Sequence, residues 1–425
     1  MTPLGFATPA FGAFVLVTIA AYRLAPPARR PLVLLAASYL FYASYLPVHA
    51  LLLALWTVLV YGIGARLMQA RESGDERGRK LAFGAGLAAV LGLLGAFKYA
   101  EMAAGTLNLG LGLLGSPARL PIPQILAPLG LSYVAFSMVH FLVVTLRGEA
   151  PFPRPAGFAL YIAFFPTILA GPIKRFPAFA QDLREGAGGP GGRAVPYALS
   201  RILIGLGKKL VVAEAAGAFA GPLLGVGSAG GEHPLRLMTA VYAYAFFIYF
   251  DFAGYTDIAI GVSRLFGFRI IENFDRPYLK PNLQQFWRSW HISLTRLVSE
   301  YVYIPLGGSR RGGLRTALNG VVAMLVVGIW HGAAWHFVAW GLYHGVGLVL
   351  LRWWKLADAR LRRRWPLVNR VEESRAGSAL GYAGGVALTF NFVALGWVLF
   401  ALPLGQALDV YARLGVYAAS VLGLA

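Results

Sequence analysis

Two histidines in apolar, tryptophan-rich stretches are the side chains of this chain best suited to chemistry. His291 ends the run Phe286-Trp-Arg-Ser-Trp-His, and His331 lies in the run Gly328-Ile-Trp-His-Gly-Ala-Ala-Trp. An ionisable side chain inside an apolar run is costly in hydrocarbon, so it indicates a functional site. A neutral imidazole is cheaper to bury than a full charge and still exchanges a proton near neutral pH. The pair therefore favours general acid–base chemistry, whereas a lone buried histidine is more often a hydrogen-bonded contact between helices.

His331 lies at a predicted turn between two apolar segments. Gly332-Ala-Ala separates it from Trp335, where the next segment begins, and these small residues let another group approach the imidazole. If Arg315 marks the cytoplasmic edge, the helix rises about 24 Å before it reaches His331, which places the ring in the outer half of a bilayer. We expect a neutral His331 to act as a general base that takes the proton of a hydroxyl group.

The neighbouring histidines are predicted to have other roles. His291 is a candidate partner of His331 that orients a substrate or donates a hydrogen bond to a developing oxyanion. Composition alone favours a different role for His291, as an interfacial anchor at the end of an aromatic helix. His336 and His344 follow the turn on an apolar segment, and we expect packing or hydrogen bonding for both.

The same residues are a poor set for metal chemistry or covalent catalysis. His331 and His336 are separated by about 140° around a helix, unlike the i, i+4 pair of zinc proteases. The chain has no cysteine, which excludes a thiolate nucleophile, and no Gly-x-Ser-x-Gly motif. We therefore expect no metal, no permanently bound cofactor and a single-step reaction without a covalent enzyme intermediate.

Two carboxylates lie in a second apolar run. Asp251 and Asp257 belong to Phe250-Asp-Phe-Ala-Gly-Tyr-Thr-Asp-Ile. Intramembrane acids mark either a proton path or a structural hydrogen-bond network. The nearby donors Tyr249, Tyr255 and Thr256 favour the network.

The elements that position these residues are predicted to be membrane-spanning helices. The chain has 425 residues, of which 58% are hydrophobic and 13% charged, a composition typical of polytopic membrane proteins. A span needs roughly 20 mainly apolar residues. Eleven segments are candidates: 5–22, 31–46, 50–65, 81–97, 124–146, 195–222, 236–250, 316–331, 333–352, 379–402 and 405–424.

Two further segments have a different character. Pro166 and Gly171-Pro172 interrupt the apolar segment 156–173, which predicts a broken or re-entrant helix. Such backbone survives in a membrane only where protein or a water-filled cavity shields it, so we expect a cavity inside the bundle. Residues 281–297 alternate aromatic and polar side chains and predict one amphipathic helix.

The net charge of +20 is distributed in a pattern that indicates orientation. Lys and Arg gather in alternate connections between the spans, which places the N-terminus outside by the positive-inside rule. We interpret the first apolar run as a retained span and not a signal peptide. The basic clusters fit topology and contact with anionic headgroups better than nucleic-acid binding.

Several motifs, in one order over about 180 residues, resemble the membrane-bound O-acyltransferase family, and within it the bacterial alginate O-acetylase branch. They are Phe164-Phe-Pro-Thr-Ile-Leu-Ala-Gly-Pro-Ile173, Tyr249-Phe-Asp-Phe-Ala-Gly-Tyr-Thr-Asp-Ile-Ala-Ile-Gly261, Glu272-Asn-Phe274, Phe286-Trp-Arg-Ser-Trp-His-Ile-Ser-Leu294, Tyr303-Ile-Pro-Leu-Gly-Gly308, Trp330-His-Gly332 and Gly341-Leu-Tyr-His-Gly345. One departure is Ser299-Glu300, where the family pattern has Arg-Asp.

The resemblance implies an all-α, polytopic bundle of about 11 spans, with re-entrant and amphipathic helices, that encloses a tunnel. It implies a single integral membrane domain over residues 1–425, with the motif-bearing centre at about 160–350. It implies catalytic roles for His331 and His291. The residues expected to line the substrate site or tunnel are Trp287, Trp290, Trp330, Asp251, Asp257, Tyr303 and Pro172.

The resemblance also implies the reaction. An acyl group, acetyl in the alginate branch, would pass from a cytoplasmic thioester, either acetyl-CoA or an acylated carrier protein, across a bacterial inner membrane. The acceptor would be an exopolysaccharide hydroxyl or a periplasmic SGNH-type acetyltransferase acting as a relay. Two alternatives remain open: D-alanyl transfer from a carrier protein to a cell-envelope polymer, and a transporter or flippase for a lipid-linked sugar, in which the buried ionisable groups form a proton relay.

Overall fold

The computed structural model describes residues 4–185, 194–225, 233–364 and 374–423, and all regular secondary structure in these ranges is helical. An all-helical chain is what an apolar sequence requires in hydrocarbon, because a helix satisfies its own backbone hydrogen bonds. The chain divides into two compact units. One unit holds residues 1–210 and 253–271, and the other holds 211–252 and 272–425. The single-domain organisation stays a prediction.

The first unit contains the N-terminal helices and the last part of α11. Its helices are α1 (Pro9–Leu24), α2 (Arg30–Ala43), α3 (Pro47–Glu72), α4 (Glu76–Leu94), α5 (Ala100–Leu113), α6 (Leu131–Arg147), α7 (Pro155–Ala163), α8 (Phe176–Glu185), α9 (Ala194–Gly207) and the end of α11 (Pro234–Leu265). A π-helical turn, Gly95–Tyr99, joins α4 to α5, and another, Lys208–Ala213, follows α9.

The second unit contains the two histidine segments. Its helices are α10 (Glu214–Leu224), the first part of α11, α12 (Leu283–Ser289), α13 (Ile292–Val298), α14 (Gly313–His331), α15 (Trp335–Arg364), α16 (Arg375–Ala401) and α17 (Leu404–Val421). The π-helical turn Ser299–Tyr303 follows α13.

Five helical stretches of the described chain are long and apolar enough to cross a membrane: Pro47–Glu72, Glu76–Leu113, Pro234–Leu265, Gly313–His331 and Arg375–Ala401. Pro9–Leu24 and Leu131–Arg147 are shorter apolar helices. These helices agree with the predicted polytopic membrane protein. The segment predicted at 124–146 becomes helical only from Leu131, because Gly130 adopts a left-handed φ of 70° in close contact with the backbone of Ile168.

The break predicted within residues 156–173 is present. Helix α7 ends at Ala163, and non-helical backbone continues to Phe176. Side chains satisfy part of this irregular backbone, since the Phe165 N–H donates to Ser38 Oγ at 3.1 Å and the Ala170 N–H donates to the Tyr255 hydroxyl at 3.3 Å. Phe165 is fully buried, so the irregular backbone is shielded by protein, as physical chemistry requires.

The single amphipathic helix predicted at 281–297 is wrong. The segment forms two short helices, α12 and α13, that meet at His291. His291 adopts a left-handed φ of 45°, a conformation that no residue inside a right-handed helix can take. The alternation of aromatic and polar residues that predicted one helix is therefore divided between two.

Glycines bring α14 and α15 into close contact. A Cβ atom at Gly328 would lie 2.3 Å from the Phe337 carbonyl oxygen, and one at Gly341 would lie 2.6 Å from the Met324 carbonyl oxygen. Only glycine allows backbones to approach so closely, which is the usual basis of tight helix packing in membranes. This packing fixes the relative positions of the side chains that α14 and α15 carry.

Candidate active site

His331 is the last residue of α14. Gly332 follows in an extended conformation, and a Cβ atom there would lie 2.0 Å from the Phe337 ring. The predicted turn is therefore confirmed, and α15 begins at Trp335. The His331 ring contacts aromatic rings on three sides, with centroid distances of 4.9 Å to Trp330, 5.3 Å to Trp340 and 5.0 Å to Phe400.

His291 is held at the junction of α12 and α13 by Asn273. The Ile292 N–H donates to the Asn273 carbonyl oxygen at 2.9 Å, and the Ser293 N–H donates to Asn273 Oδ1 at 3.1 Å. A left-handed conformation at a residue other than glycine costs about 1–3 kcal/mol and persists only where its surroundings enforce it. The fully buried Asn273 supplies that enforcement and so determines where the His291 ring lies.

The two histidines lie next to each other. Their ring centroids are 6.4 Å apart, and Trp330 contacts both rings, at 5.6 Å from His291 and 4.9 Å from His331. A ring nitrogen lies about 1.2 Å from its centroid and a hydrogen bond spans about 2.9 Å, so one oxygen atom fits within reach of both imidazoles. The arrangement suits a proton transfer at one ring and stabilisation of a developing charge at the other.

His291 is buried between the short helices, outside the membrane-spanning segments. Burial lowers the pKa of its imidazole well below the ordinary value of 6.5, and the neighbouring His331 lowers it further. His291 is therefore neutral at physiological pH. A neutral imidazole has one N–H to donate, so His291 can stabilise an oxyanion without carrying a charge of its own.

The three tryptophans predicted to line the site have different surroundings. Trp330 contacts both catalytic candidates, as described above. Trp290 packs within aromatic side chains, at 4.9 Å from Trp397 and 5.1 Å from Phe274. Trp287 lines a cavity of about 490 Å³.

That cavity lies entirely within the second unit. Its walls come from α12 to α15 and the π-helical turn, and they combine small residues such as Ala317 and Gly320 with three basic side chains, Arg288, Arg352 and Lys355. Val327, one helical turn before His331, also lines it. The cavity is large enough for the thin, flexible chain of a thioester substrate, and its basic residues suit a phosphate-bearing end.

Tyr303 and Ser299 both line this cavity, and both lie in the π-helical turn after α13. Tyr303 was predicted from the sequence to line the site. Ser299 occupies the position where the family pattern has arginine. A serine leaves more room and less charge there than the arginine of the family pattern would.

Asp257 belongs to the first unit, where it forms an ion-pair cluster. Its carboxylate accepts a hydrogen bond from Lys208 Nζ at 2.6 Å and pairs with Arg201. Glycine contacts bring these groups together, because a Cβ atom at Gly205 would lie 2.7 Å from the Gly254 carbonyl oxygen. The partners of this carboxylate are thus cations of α9 and the turn that follows it.

Asp251 and Pro172 complete the predicted set. Asp251 is half-buried in the part of α11 that belongs to the second unit. Pro172 is buried in the irregular segment after α7, within the first unit. The structure therefore brings together His291, His331 and Trp330, places Trp287 and Tyr303 on the cavity, and gives Asp257 a cluster of its own.

Lys174, which follows this segment, is buried and not displayed on a surface. Its Nζ donates to Thr167 Oγ1 at 2.9 Å and lies 5.6 Å from the centroid of the Tyr161 ring. Burial lowers the pKa of its amine from 10.5 to about 7.

The remaining histidines of this region lie on α15. His336 Nδ1 donates to the Leu399 carbonyl oxygen at 2.9 Å, which confirms the predicted hydrogen-bonding role. His344 is fully buried and packs against the Trp287 and Trp340 rings.

Sequence reasoning did not single out Asn273 as a site residue. Its role depends on a backbone conformation at His291, 18 residues later in the chain, that no local pattern predicts. The signal available was its place in Glu272-Asn-Phe274, one of the motifs that carry the family resemblance.

Comparisons with known proteins show the family of the chain. The model of the membrane-bound O-acyltransferase family matches residues 131–369. The chain is 35% identical over 343 residues to the "Probable alginate O-acetylase AlgI" of Azotobacter vinelandii, a match that covers 80% of this chain and 66% of that protein. It is 31% identical over 427 residues to the peptidoglycan O-acetyltransferase of Helicobacter pylori, covering 94% and 74%.

A third relative is the teichoic acid D-alanyltransferase of Streptococcus thermophilus, 30% identical over 288 residues, which cover 64% of this chain and 68% of that protein. The chain thus spans about two thirds to three quarters of the length of these relatives. The extent of the family match and the relatives at 30% identity or more lead to one conclusion. The chain belongs to the membrane-bound O-acyltransferase family and is an O-acyltransferase of the membrane.

Proposed function

We propose that this protein moves an acetyl group from a cytoplasmic thioester across a bacterial inner membrane, and that His331 is the general base of the transfer. The observation that carries the proposal is the His291–His331 pair, with ring centroids 6.4 Å apart, close to a cavity with basic lining residues. Such a pair supplies a proton acceptor and an oxyanion donor at one point, which is what acyl transfer needs.

The chemical step requires no cofactor. The acceptor hydroxyl oxygen attacks the thioester carbonyl carbon while His331 takes the hydroxyl proton. His291 donates a hydrogen bond to the carbonyl oxygen as negative charge develops there. The carbon–sulfur bond then breaks, and the thiolate takes the proton from the His331 imidazolium, leaving an ester and a thiol.

The donor side of the reaction is assigned to the 490 Å³ cavity. Both candidate donors, acetyl-CoA and an acylated carrier protein, present the acyl group on a long, neutral arm that ends in phosphate. Arg288, Arg352 and Lys355 would hold the phosphate end, and the small residues Ala317, Gly320 and Ala323 leave room for the arm.

The acceptor is an exopolysaccharide hydroxyl, reached directly or through a periplasmic SGNH-type acetyltransferase. Support comes from relatives named alginate O-acetylase and peptidoglycan O-acetyltransferase. Lys and Arg gather in alternate connections, so the N-terminus faces outward and His331 faces the outer half of the membrane. This orientation separates a cytoplasmic donor from an acceptor on the far side.

Cells that carry His331→Ala test the proposal. The variant should abolish acetylation of the exported polymer while the exported amount stays at the wild-type level. The measurements are ester-linked acetate per unit of polymer and total polymer. Normal acetate content with reduced export would contradict the proposal and favour transport of a lipid-linked sugar.

A second candidate function, D-alanyl transfer to a cell-envelope polymer, is favoured by the similarity to the teichoic acid D-alanyltransferase of Streptococcus thermophilus. The two functions differ in the group that is transferred. Reconstituted protein supplied with labelled acetyl and D-alanyl thioesters of the same carrier should transfer acetyl. Preference for D-alanine would reverse the assignment.

A further inference from the structure

Three buried side chains in the second unit carry four polar groups that lack hydrogen-bond partners among the residues that the structure describes. They are both ring nitrogens of His344 and the indole N–H groups of Trp287 and Trp340. Their rings form one cluster, with centroid distances of 5.0 Å between His344 and Trp287, 4.9 Å between His344 and Trp340, and 5.6 Å between the two tryptophans. Trp340 and His344 are both fully buried.

Buried polar groups of this kind indicate that a partner binds there. Folded proteins satisfy the great majority of their buried donors and acceptors, because an unpaired buried group is destabilising. His336 shows the usual outcome on the same helix, since its ring nitrogen pairs with the Leu399 carbonyl oxygen. An aromatic cluster of three rings in contact with one another, with four unpaired polar groups, therefore has the properties of a binding site.

The position of the cluster relates it to the reaction. Trp287 lines the 490 Å³ cavity, as does Leu348, one helical turn after His344. On the other side, Trp340 contacts His331 at 5.3 Å. The cluster thus lies between the cavity and His331. The His344 ring contacts Trp340, and the Trp340 ring contacts His331, the proposed proton acceptor.

The types of group in the cluster define the chemistry of the partner. Indole N–H groups only donate, whereas a neutral imidazole donates at one nitrogen and accepts at the other. None of the three carries a fixed charge, so a phosphate or carboxylate is a poor match. A secondary amide, with one carbonyl oxygen and one N–H, matches this set of donors and acceptor.

We propose that His344, with Trp287 and Trp340, binds the amide of the acyl donor nearest the thioester. This inference rests on the proposed function, because it takes the donor to be an N-acylcysteamine thioester. In an extended arm of that type the amide carbonyl lies roughly 6–7 Å from the thioester carbonyl. Because the Trp340 ring lies 5.3 Å from the His331 ring, an amide bound at the cluster places the thioester within reach of His331.

The test compares two small donors in reconstituted protein. S-acetyl-N-acetylcysteamine contains the amide, and S-butyl thioacetate lacks it. The ratio of their kcat/KM values should fall about tenfold in His344→Leu, because one lost hydrogen bond to a neutral group corresponds to roughly a tenfold change. The change should appear mainly as a higher KM for the amide donor. His344→Gln, which both donates and accepts, should restore most of the ratio.

His336→Leu is the matched control, since it removes a paired histidine from the same helix and should leave the ratio unchanged. A ratio in His344→Leu equal to that of the wild type would overturn the proposal and leave His344 with a packing role or a bound water. Thermal unfolding shows whether each variant is folded. If His344→Leu does not fold, the comparison is made with His344→Gln.

Binding without chemistry separates this inference from the proposed function. The unreactive thioether N-acetyl-S-ethylcysteamine is titrated calorimetrically into wild-type and His344→Gln or His344→Leu protein. If the wild type binds the thioether through His344 but transfers acetyl from neither donor, the proposed function fails and the amide site stands. If transfer proceeds but binding is independent of His344, the site fails alone.

Discussion

Two groups of buried or half-buried ionisable residues differ in how they are stabilised. Asp257, in the first unit, pairs with Arg201 and with Lys208 at 2.6 Å, so charge is balanced by charge. His291 and His331, in the second unit, lie among aromatic rings, and the pKa of His291 is lowered so that its ring is neutral.

This difference distinguishes an ionisable group with a structural role from one that is suited to catalysis. A buried carboxylate with two cations has its charge and its hydrogen bonds satisfied, which holds α9 and α11 in place and leaves little capacity for reaction. A neutral imidazole surrounded by aromatic rings has one unprotonated nitrogen, which can accept a proton near neutral pH. Both groups are ionisable residues in apolar sequence, and only the hydrogen-bond donors near the aspartates indicate from sequence that Asp257 has a structural role.

The largest expected effect is on stability, at Asp257. Asp257→Ala removes the carboxylate that pairs with Arg201 and Lys208, and removing one partner of a buried pair costs about 3–5 kcal/mol. Unfolding in detergent measures the loss, and the transfer rate per folded molecule should be retained. Glu76→Gln is the control, because the exposed Arg79–Glu76 pair should contribute less than about 1 kcal/mol. If Asp257→Ala kept the stability of the wild type but lost activity, Asp257 would have a catalytic role and not a structural one.

The next largest effect is on catalysis, at His291. His291→Ala removes the proposed oxyanion donor and should lower kcat by about 100-fold, the usual effect of losing one such group. Initial rates of acetyl transfer measure it. His336→Ala, at a histidine with a hydrogen-bonded structural role, should change kcat far less. Equal losses in the two variants would make His291 a structural residue.

A smaller effect on stability tests the helix contact that positions His331. Gly328→Ala places a Cβ atom 2.3 Å from the Phe337 carbonyl oxygen and should destabilise the protein by about 1–3 kcal/mol. Gly320→Ala, on the same helix with no atom within 4 Å of the new Cβ, should instead stabilise by about 0.5–1 kcal/mol. Thermal unfolding that ranks the two variants in the opposite order would exclude close packing of α14 on α15.

The smallest effect concerns pH and Lys174, a buried cation whose contacts are a hydroxyl group and aromatic rings. Its pKa is about 7 in the folded protein against 10.5 ordinarily, so between these values the unfolded chain binds more protons. Stability should therefore rise as pH increases from 7 toward 10. Lys174→Met should flatten this rise, whereas Lys80→Met, at an exposed position, should not. Melting temperatures at pH 7 and pH 9 decide between these outcomes.

Features encoded by neighbouring residues could be predicted from the sequence. Apolar length predicted the helices, Pro166 with Gly171-Pro172 predicted the break after α7, and Gly332-Ala-Ala predicted the turn after His331. Each depends on backbone preference or hydropathy over a few residues.

Features that depend on distant residues could not be predicted. The left-handed conformation of His291, which divides 281–297 into two helices, is held by Asn273. The cationic partners of Asp257 come from α9 and the turn that follows it, about 50 residues earlier in the chain. The cluster of Trp287, Trp340 and His344 joins two helices whose separation is set by packing.

The most direct test of His331 as the proton acceptor is chemical rescue. Acetyl transfer is measured in proteoliposomes with wild-type and His331→Ala protein, with and without added imidazole. The account predicts that the variant loses at least about 1,000-fold in rate and that imidazole restores transfer in a saturable way, with neutral imidazole as the active form. Wild-type turnover by His331→Ala without imidazole would contradict it.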